Sequence, residues 1–327
     1  MNKRLIALLA GVTASSALVV VAQGSGDIRV DGSSTVYPIT LAVAEEFKID
    51  NPKTKITVAF SGTGGGFKKF CAGETDVSNA SRPISKDEIK ACKAKGIDFL
   101  EIPVAYDGLT VVVNPKNNFV TCLSVAELKK MWEPNSKVTT WKDVRPSWPD
   151  QKIAFYGAGA DSGTFDYFTT EINGKSKAIR TDYFPSEDDN VLVKGVEGNA
   201  SAVGFFGYAY YLEEGKRLKA VAVDQKGNGK CVIPSEETIN NGAYAPLSRP
   251  LFIYVNASNL NKANLVKFVD FYLNKKNRKL ISSTGYVALP ERAYELITER
   301  FKARKTGTLF AGGLLEGKTL TQVLEGK

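Results

Sequence analysis

The fold is decided by a stretch near the start of the chain, residues 28–47, which reads IRVDGSSTVYPITLAVAEEF. Its first three residues form a short apolar run that predicts a β-strand. From Ile39 to Phe47 the apolar residues recur at helical spacing, which predicts an amphipathic helix. The polar segment Asp31-Gly32-Ser33-Ser34-Thr35 therefore joins the end of a strand to the start of a helix.

The same strand, loop and helix unit recurs twice further along the chain. A strand predicted at residues 56–60 is followed by a glycine-rich loop, residues 61–66, and by a helix start at Phe67. A strand predicted at residues 77–84 precedes Ser85, which has an acidic residue, Glu88, three positions later, as in a capping box. Strands that alternate with helices predict an α/β fold with a largely parallel sheet.

Two apolar, β-branched runs divide the rest of the chain. Residues 109–114 and residues 250–256 both fit buried strands, and we interpret them as crossovers between two lobes. The segment between them has its own capping box at Ser124 and its own strand near Ile153. We therefore predict one lobe from residues 27–112 and 250–327 and a second lobe from residues 113–249. A cleft between two lobes is a usual place for a small ligand.

The first 22 residues have the features of a secretory signal peptide. Charged residues at Lys3 and Arg4 precede an apolar stretch that Thr13 and two serines interrupt, and small residues end it near Ala22. We expect cleavage there, and the alternative is a retained membrane anchor. Because no cysteine follows the apolar stretch, we expect no lipid anchor and a periplasmic protein.

Charge and composition favour a globular protein that attracts anions. The formal net charge is +8, with 43 basic and 35 acidic residues. Because the basic residues are scattered and no nucleic-acid motif accompanies them, we expect no nucleic acid as a partner. The chain has no histidine, which excludes histidine-based catalytic triads and histidine metal sites.

Four cysteines allow three pairings in an exported chain. We favour Cys71 with Cys92, which closes a short loop in one lobe, and Cys122 with Cys231, which ties the ends of the other. A zinc site is the rival interpretation, although the cysteines lack CxxC spacing.

Three loops of similar composition each precede a predicted helix. They are residues 31–35, residues 61–66 and Asp161-Ser162-Gly163-Thr164. The start of a helix carries a partial positive charge of about half a unit and free N–H donors, so it binds anions. For any one loop, an ordinary cap or turn is the better explanation. Three of them converging would surround a tetrahedral oxyanion without a metal or cofactor.

Four segments in this order resemble the signature segments of Pst-type phosphate-binding proteins, and the resemblance spans nearly the whole mature chain. They are DGSSTVYP at 31–38, SGTGGGF at 61–67, SNASRPI at 78–84 and DSGTFD at 161–166. The resemblance implies a type II periplasmic-binding-protein fold, two α/β lobes with central mixed sheets joined by two crossover strands, with phosphate buried between hinged lobes. It also implies the ligand donors, which are Ser34, Thr35 and the backbone of Val36; Thr63, Gly64 and Gly65; Ser81; and Ser162, Gly163 and Thr164.

This chain departs from the family at two positions. Some members have an aspartate at the position of Ser81 and an arginine at that of Ala158. We expect Arg82 to supply the cation, because a guanidinium fits two anion oxygens at once; the alternative is a surface arginine. Asp161 either accepts the proton of hydrogen phosphate, pairs with Arg82 or caps the following helix. Asp107 either faces the cleft or starts a turn.

The predicted function is an extracytoplasmic solute-binding protein that captures inorganic phosphate and delivers it to the permease of an ABC importer. Other oxyanions, namely sulfate, arsenate and molybdate, stay open as ligands. The rival from another class is a secreted phosphatase-like enzyme, for which the sequence offers neither a metal cluster nor an activated nucleophile. We expect a monomer, no catalytic residues, no metal and no cofactor.

Overall fold

The computed structural model describes residues 26–160, 162–186, 188–213, 217–310 and 318–327. The predicted signal peptide, residues 1–22, and Asp161 lie outside the described residues. The strands are β1 Ile28–Gly32, β2 Ile56–Val58, β3 Val77–Ala80, β4 Phe99–Val113, β5 Cys122–Ser124, β6 Ala154–Ala158, β7 Phe184–Ser186, β8 Ala202–Gly207, β9 Lys219–Ala220, β10 Ala222–Asp224, β11 Ser248–Asn256 and β12 Val287–Ala288.

Helices alternate with these strands along most of the chain. They are α1 Tyr37–Asp50, α2 Thr63–Cys71, α3 Lys86–Ala94, α4 Val125–Trp132, α5 Trp141–Val144, α6 Gly163–Asn173, α7 Asp189–Gly198, α8 Tyr208–Glu213, α9 Glu236–Asn240, α10 Ala263–Tyr272, α11 Arg278–Ser282, α12 Glu291–Lys302 and α13 Leu320–Leu324, with 3-10 turns at Ala257–Asn261 and Lys275–Asn277. Among the described residues, no helix combines the length and the apolar character that crossing a membrane requires.

Most strands belong to one mixed sheet with the order β2-β1-β3-β11-β4-β8-β6-β7. Strands β1, β2 and β3 are parallel to one another, and β11 is antiparallel to β3 and β4. At the other end, β6 is parallel to β7 and β8. A separate pair, β5 and β10, is also parallel. This is the mixed α/β architecture that the sequence predicts.

Strand β4 runs through both parts of the sheet. Its residues 99–108 pair with β11 and β12, and its residues 109–113 pair with β8 and β9. We call the strands on either side of this change the first half and the second half of the sheet. All fifteen residues of β4 are buried, as expected for a strand with neighbours on both edges and helices on both faces.

Each half has its own aromatic packing. In the first half, the rings of Phe67 and Phe99 both contact that of Tyr254, with centroids 4.9 and 5.6 Å away. In the second half, Trp132 packs edge-on against Phe205, with ring centroids 4.9 Å apart. Burial of such large rings supplies much of the hydrophobic free energy that holds strands and helices together.

The local predictions are largely confirmed. Capping boxes form at Ser85 and Ser124, and the two disulfides are Cys71–Cys92 and Cys122–Cys231 as favoured. The strand predicted at residues 109–114 is the second part of the longer β4, which starts ten residues earlier at Phe99 and includes the buried charged residues Glu101 and Asp107.

Some boundaries were predicted wrongly. Strand β2 ends at Val58 rather than at residue 60, and β3 ends at Ala80 rather than at residue 84. Pro83, which has no backbone N–H, cannot extend the β3 ladder. Helix α2 begins at Thr63 and not at Phe67. The glycine run, with its poor helix propensity, thus forms the first turn of a helix rather than a loop.

Candidate anion-binding site

The predicted ligand residues lie where strands of both halves give way to helices. We use loop 1 for residues 31–36, which join β1 to α1, and loop 2 for residues 59–62 together with the first turn of α2. Loop 3 denotes residues 162–164 at the start of α6, and Ser81 and Arg82 follow β3 directly. Loops 1 and 2 belong to the first half of the sheet and loop 3 to the second half.

Loop 1 and loop 3 touch each other across the two halves. A Cβ atom placed on Gly163 would lie 1.8 Å from Oγ1 of Thr35 and 3.0 Å from its Cα. Only glycine permits this approach of the α6 backbone to the Thr35 side chain. Thr35 is buried, while Ser34, Ser162 and Thr164 are half-buried. The contact brings the starts of α1 and α6 together, as the convergence of the loops requires.

Loop 2 packs against loop 1 within the first half. The backbone of Gly66 approaches Gly32 so closely that an added Cβ would lie 2.4 Å from the Gly32 Cα. Ser61 donates its N–H to the carbonyl of Gly32 and its hydroxyl to a carboxylate oxygen of Asp31, at 3.0 and 2.6 Å. These contacts fix the glycine-rich turn against Asp31 and Gly32.

Asp31 is the carboxylate that ties loop 2 to β1. Its second oxygen accepts a hydrogen bond from the Lys69 ammonium at 2.5 Å. Burial alone would raise the pKa of Asp31, but the bonds from Lys69 and Ser61 more than offset this and hold the pKa below its ordinary value. The carboxylate therefore stays ionised and remains an acceptor at neutral pH.

Ser81 joins the same cluster through Thr63. The two hydroxyl oxygens are 3.1 Å apart, and the N–H of Ser81 donates to Oγ1 of Thr63 at 3.2 Å. Contacts thus link loop 1, loop 2, loop 3 and Ser81; that these residues bind a ligand stays a prediction.

The helix starts in this cluster differ in how they are capped. Within the described chain, neither Val36 at α1 nor Gly62 at α2 caps its helix with a side-chain hydrogen bond. At α6 the hydroxyl of Ser162 accepts from the N–H of Thr164 at 3.2 Å. The N–H of Val36 reaches the Ser33 hydroxyl over 3.4 Å. Helix α2 therefore offers N–H donors and dipole charge to an anion. At α1 the N–H of Tyr37 donates to the carbonyl of Ser33 at 3.0 Å and Pro38 has no N–H, so the first turn contributes mainly dipole charge.

Arg82 lies beside this cluster but binds a carboxylate of its own half. Its Nη1 and Nη2 each lie 2.9 Å from an oxygen of Glu88, the N3 residue of α3. Its side chain is 46% exposed, and Nη2 lies 3.9 Å from the place a Cβ on Gly64 would occupy. Arg82 is thus near the α2 start and paired with Glu88, so reaching an anion requires exchange of that partner.

A second arginine at this cleft was missed in the sequence. Arg249, in β11, lies opposite Asp107 in β4, with Nη2 3.2 Å from Oδ2. Their side chains are 14% and 3% exposed. Burial raises the pKa of Asp107, an effect that Arg249 only partly offsets. The available signal was an arginine at the start of an otherwise apolar run; Asp107 was noticed, and its partner was not.

An open cleft adjoins the cluster at Ser81 and Arg82. Its volume is about 830 Å³, and its wall includes Arg249, Ser248 and Lys226. Tyr167 of α6 and Lys318 of the C-terminal segment also line it. Basic side chains in a cleft raise the local concentration of anions.

This architecture, with helix starts from two halves of a sheet meeting beside a basic cleft, defines a solute-binding protein for small anions. The sequence matches the family described as PBP superfamily domain over residues 20–276. It is 47% identical to Protein SphX of Synechococcus elongatus over 99% of this chain and 96% of that protein. It is also 42% identical to Phosphate-binding protein PstS of Staphylococcus saprophyticus, over 83% of each chain.

A solved structure of a related protein also resembles this chain. The crystal structure of a possible phosphate binding protein from Planctomyces limnophilus superposes with a TM-score of 0.81 at 50% identity, covering 86% of this chain and 99% of that one. The chain belongs to the Pst-type phosphate-binding proteins of the PBP superfamily and has their type II periplasmic-binding-protein fold. This is a family of substrate-binding proteins and not of enzymes.

Proposed function

We propose that this protein captures inorganic phosphate between two lobes outside the cytoplasmic membrane and delivers it to the permease of an ABC importer. The lobes correspond to residues 27–112 with 250–327 and to residues 113–249. The observation that carries the proposal is the contact of Thr35 with Gly163, which joins two helix starts from opposite halves of the sheet.

The ligand is held by neutral donors and by one cation. The backbone of loop 1, the first turn of α2 and the start of α6 supply N–H groups, and the hydroxyls of Thr35, Thr63 and Ser81 add further donors. Arg82 leaves Glu88 and pairs with the anion, because a dianion attracts the guanidinium more strongly than a carboxylate does. Asp161 belongs to this proposed set as the acceptor of the phosphate proton.

Binding to both halves favours the closed arrangement. A ligand shifts a conformational equilibrium only by its difference in affinity for the two states. An anion held by loops 1 and 2 on one side and by loop 3 on the other makes all its contacts only when the halves meet. The permease then distinguishes loaded from empty protein by this closure. The protein acts as a monomer, exported by the signal peptide at residues 1–22.

The test is calorimetric titration of the exported chain, stripped of ligand by unfolding and refolding, with phosphate and separately with sulfate, arsenate and molybdate. We expect phosphate to bind tightly and sulfate not to bind. Binding of sulfate in place of phosphate would keep the site and overturn the ligand, and binding of no oxyanion would overturn the function.

A matched pair of variants tests whether the site is the one described. Gly163→Ala forces a Cβ into Thr35, and overpacking of this kind costs about 1–3 kcal/mol, which corresponds to roughly a 5- to 150-fold loss of phosphate affinity. The control is Gly198→Ala, because Gly198 ends helix α7 with open space around its Cβ position. Equal phosphate affinities of the two variants would place the ligand elsewhere.

A further inference from the structure

Arg249 and Asp107 form a buried ion pair where the chain passes between the two halves of the sheet. They are directly opposite in the β4–β11 ladder, one residue before the end of β4's pairing with β11 at Gly108. From Leu109 onward, β4 pairs with β8 instead. Nε and Nη2 of Arg249 lie 3.3 and 3.2 Å from the same oxygen of Asp107. The pair therefore joins the two strands at the crossing point.

The ring of Tyr167 lies against the Arg249 guanidinium. The Arg249 Cζ atom lies 3.7 Å from the ring centroid, and Tyr167 is buried. The Tyr167 hydroxyl donates to the carbonyl of Pro246, just before β11. Helix α6, which belongs to the second half, is thus held at two points: to Arg249 in β11 and to Pro246 in the segment that leads into β11.

This attachment lies one helical turn from the anion site. Tyr167 is four residues beyond Gly163, the residue that touches Thr35. The backbone of Gly163 is packed directly against the Thr35 side chain. A shift of α6 towards loop 1 would make the two clash, and a shift away from loop 1 would separate the starts of α1 and α6. The position of α6 relative to loop 1 therefore decides whether the two helix starts meet around an anion.

The chemistry of the pair suits positioning better than stabilisation. Desolvation of two buried charges offsets most of their attraction, so such pairs add little to net stability, while removal of one partner is costly. A guanidinium over an aromatic ring and in register with a carboxylate has a single favourable orientation. A planar group held by the carboxylate of Asp107 and in contact with the Tyr167 ring restricts where the ring, and hence α6, can lie.

We propose that Arg249 is a positioning residue for anion capture: with Asp107 it holds Tyr167, and through Tyr167 it places Gly163 against Thr35. Arg249 acts on the ligand through α6 and not by contact. The inference rests on the proposed function, since it concerns the same anion site.

The experiment compares Arg249→Lys with Arg145→Lys. Lysine keeps a positive charge beside Asp107 but loses the planar face that the Tyr167 ring contacts. Arg145 is the matched control, because it also pairs with a carboxylate, that of Glu127, and lies over an aromatic ring, Trp148, at 4.5 Å. The readouts are the phosphate dissociation constant by calorimetry and the unfolding midpoint without phosphate.

We expect Arg249→Lys to raise the phosphate dissociation constant about tenfold, an effect of about 1.4 kcal/mol, and Arg145→Lys to leave it within twofold. If Arg249 has a merely structural role, Arg249→Lys lowers the unfolding midpoint and leaves the phosphate dissociation constant unchanged. That result would overturn the inference. Failure of the parent protein itself to bind phosphate would instead overturn the proposed function.

Tyr167→Phe keeps the test decisive if the arginine variant does not fold. This change removes only the hydroxyl that binds the Pro246 carbonyl and keeps the ring over the guanidinium. We expect a several-fold weaker phosphate affinity with a folded protein. Parent-like affinity of both Tyr167→Phe and the further variant Tyr167→Leu, which removes the ring, would show that the attachment of α6 does not influence the anion site.

Discussion

The starts of helices α3 and α4 have the same local arrangement and different surroundings. In each, a serine N-cap and a glutamate at N3 form a capping box, and an arginine from outside the helix binds that glutamate through two nitrogens. The members are Ser85, Glu88 and Arg82 at α3, and Ser124, Glu127 and Arg145 at α4.

The difference lies in where each arginine points. Arg82 lies beside Gly64 in the first turn of α2 and lines the cleft. Arg145 donates to the carbonyl of Cys122 and lies over the ring of Trp148. A capping box with its arginine is therefore a structural element in both places. Arg82 differs from Arg145 in lying next to the proposed anion site, at the start of α2.

The largest expected effect is a loss of phosphate affinity when Arg82 is replaced, with the same replacement at Arg145 as the comparison. In Arg82→Met the phosphate affinity falls about 10- to 150-fold, because a hydrogen bond to a charged group contributes about 1.5–3 kcal/mol. In Arg145→Met the phosphate affinity stays within twofold of the parent. Calorimetric titration of both variants checks this.

Stability provides the control for that comparison. Both arginine variants lose an ion pair to a capping glutamate, so we expect small and similar losses of unfolding free energy from this source. A phosphate affinity that falls equally in both variants would mean that the loss reflects general loosening, and Arg82 would have no special relation to the ligand.

The second effect concerns the serine caps. Ser85→Ala and Ser124→Ala each remove the acceptor for the N3 backbone N–H, at a cost of about 1 kcal/mol. For a chain of this size that corresponds to a fall of about 2–4 °C in the unfolding midpoint. Differential scanning calorimetry measures it, and a fall at α3 alone would contradict the structural equivalence of the two boxes.

Much of this comparison is readable from the sequence. A serine followed three residues later by a glutamate predicts a capping box through local chain geometry alone, and both boxes form. The disulfides follow similarly, since Cys71 and Cys92 are close in sequence within one predicted lobe and Cys122 and Cys231 lie near the two ends of the other. The four signature segments likewise gave the family and the loops that meet at the site.

Contacts between residues far apart in the chain could not be predicted from the sequence. Tyr167 and Arg249 lie in different elements, and their stacking depends on how α6 packs over the β4–β11 ladder. The pairing of Arg82 with Glu88 depends on the rotamer of a long side chain with several charged neighbours. Helical structure in Thr63–Gly66 was also missed, because glycine has a low intrinsic propensity that packing against Gly32 overrides.

The smallest expected effect is the pH dependence of stability that the two capping glutamates contribute. Burial alone would raise the pKa of Glu88, but hydrogen bonds from Arg82 and from the helix cap more than offset this and hold the pKa below its ordinary value of 4.5. The pKa of Glu127 is lowered in the same way, with Arg145 as the partner. Because the folded pKa is below the unfolded one, the stabilisation is fully present above the unfolded pKa and is lost as the pH falls through the folded pKa.

Urea unfolding of Glu88→Gln, Glu127→Gln and the parent between about pH 6 and pH 3 measures this contribution. Each variant should lose less of its unfolding free energy than the parent does on acidification. The difference should be below about 1 kcal/mol, because the arginine partners are 46% and 39% exposed and solvent screens the pairs.

The same measurement with saturating phosphate should distinguish the two glutamates. If the anion draws Arg82 away from Glu88, the pKa of Glu88 rises towards its ordinary value and its contribution to stability shrinks. The contribution of Glu127 does not change. An unchanged Glu88 contribution with phosphate bound would mean that Arg82 keeps its carboxylate, and that the helix starts hold the anion without it.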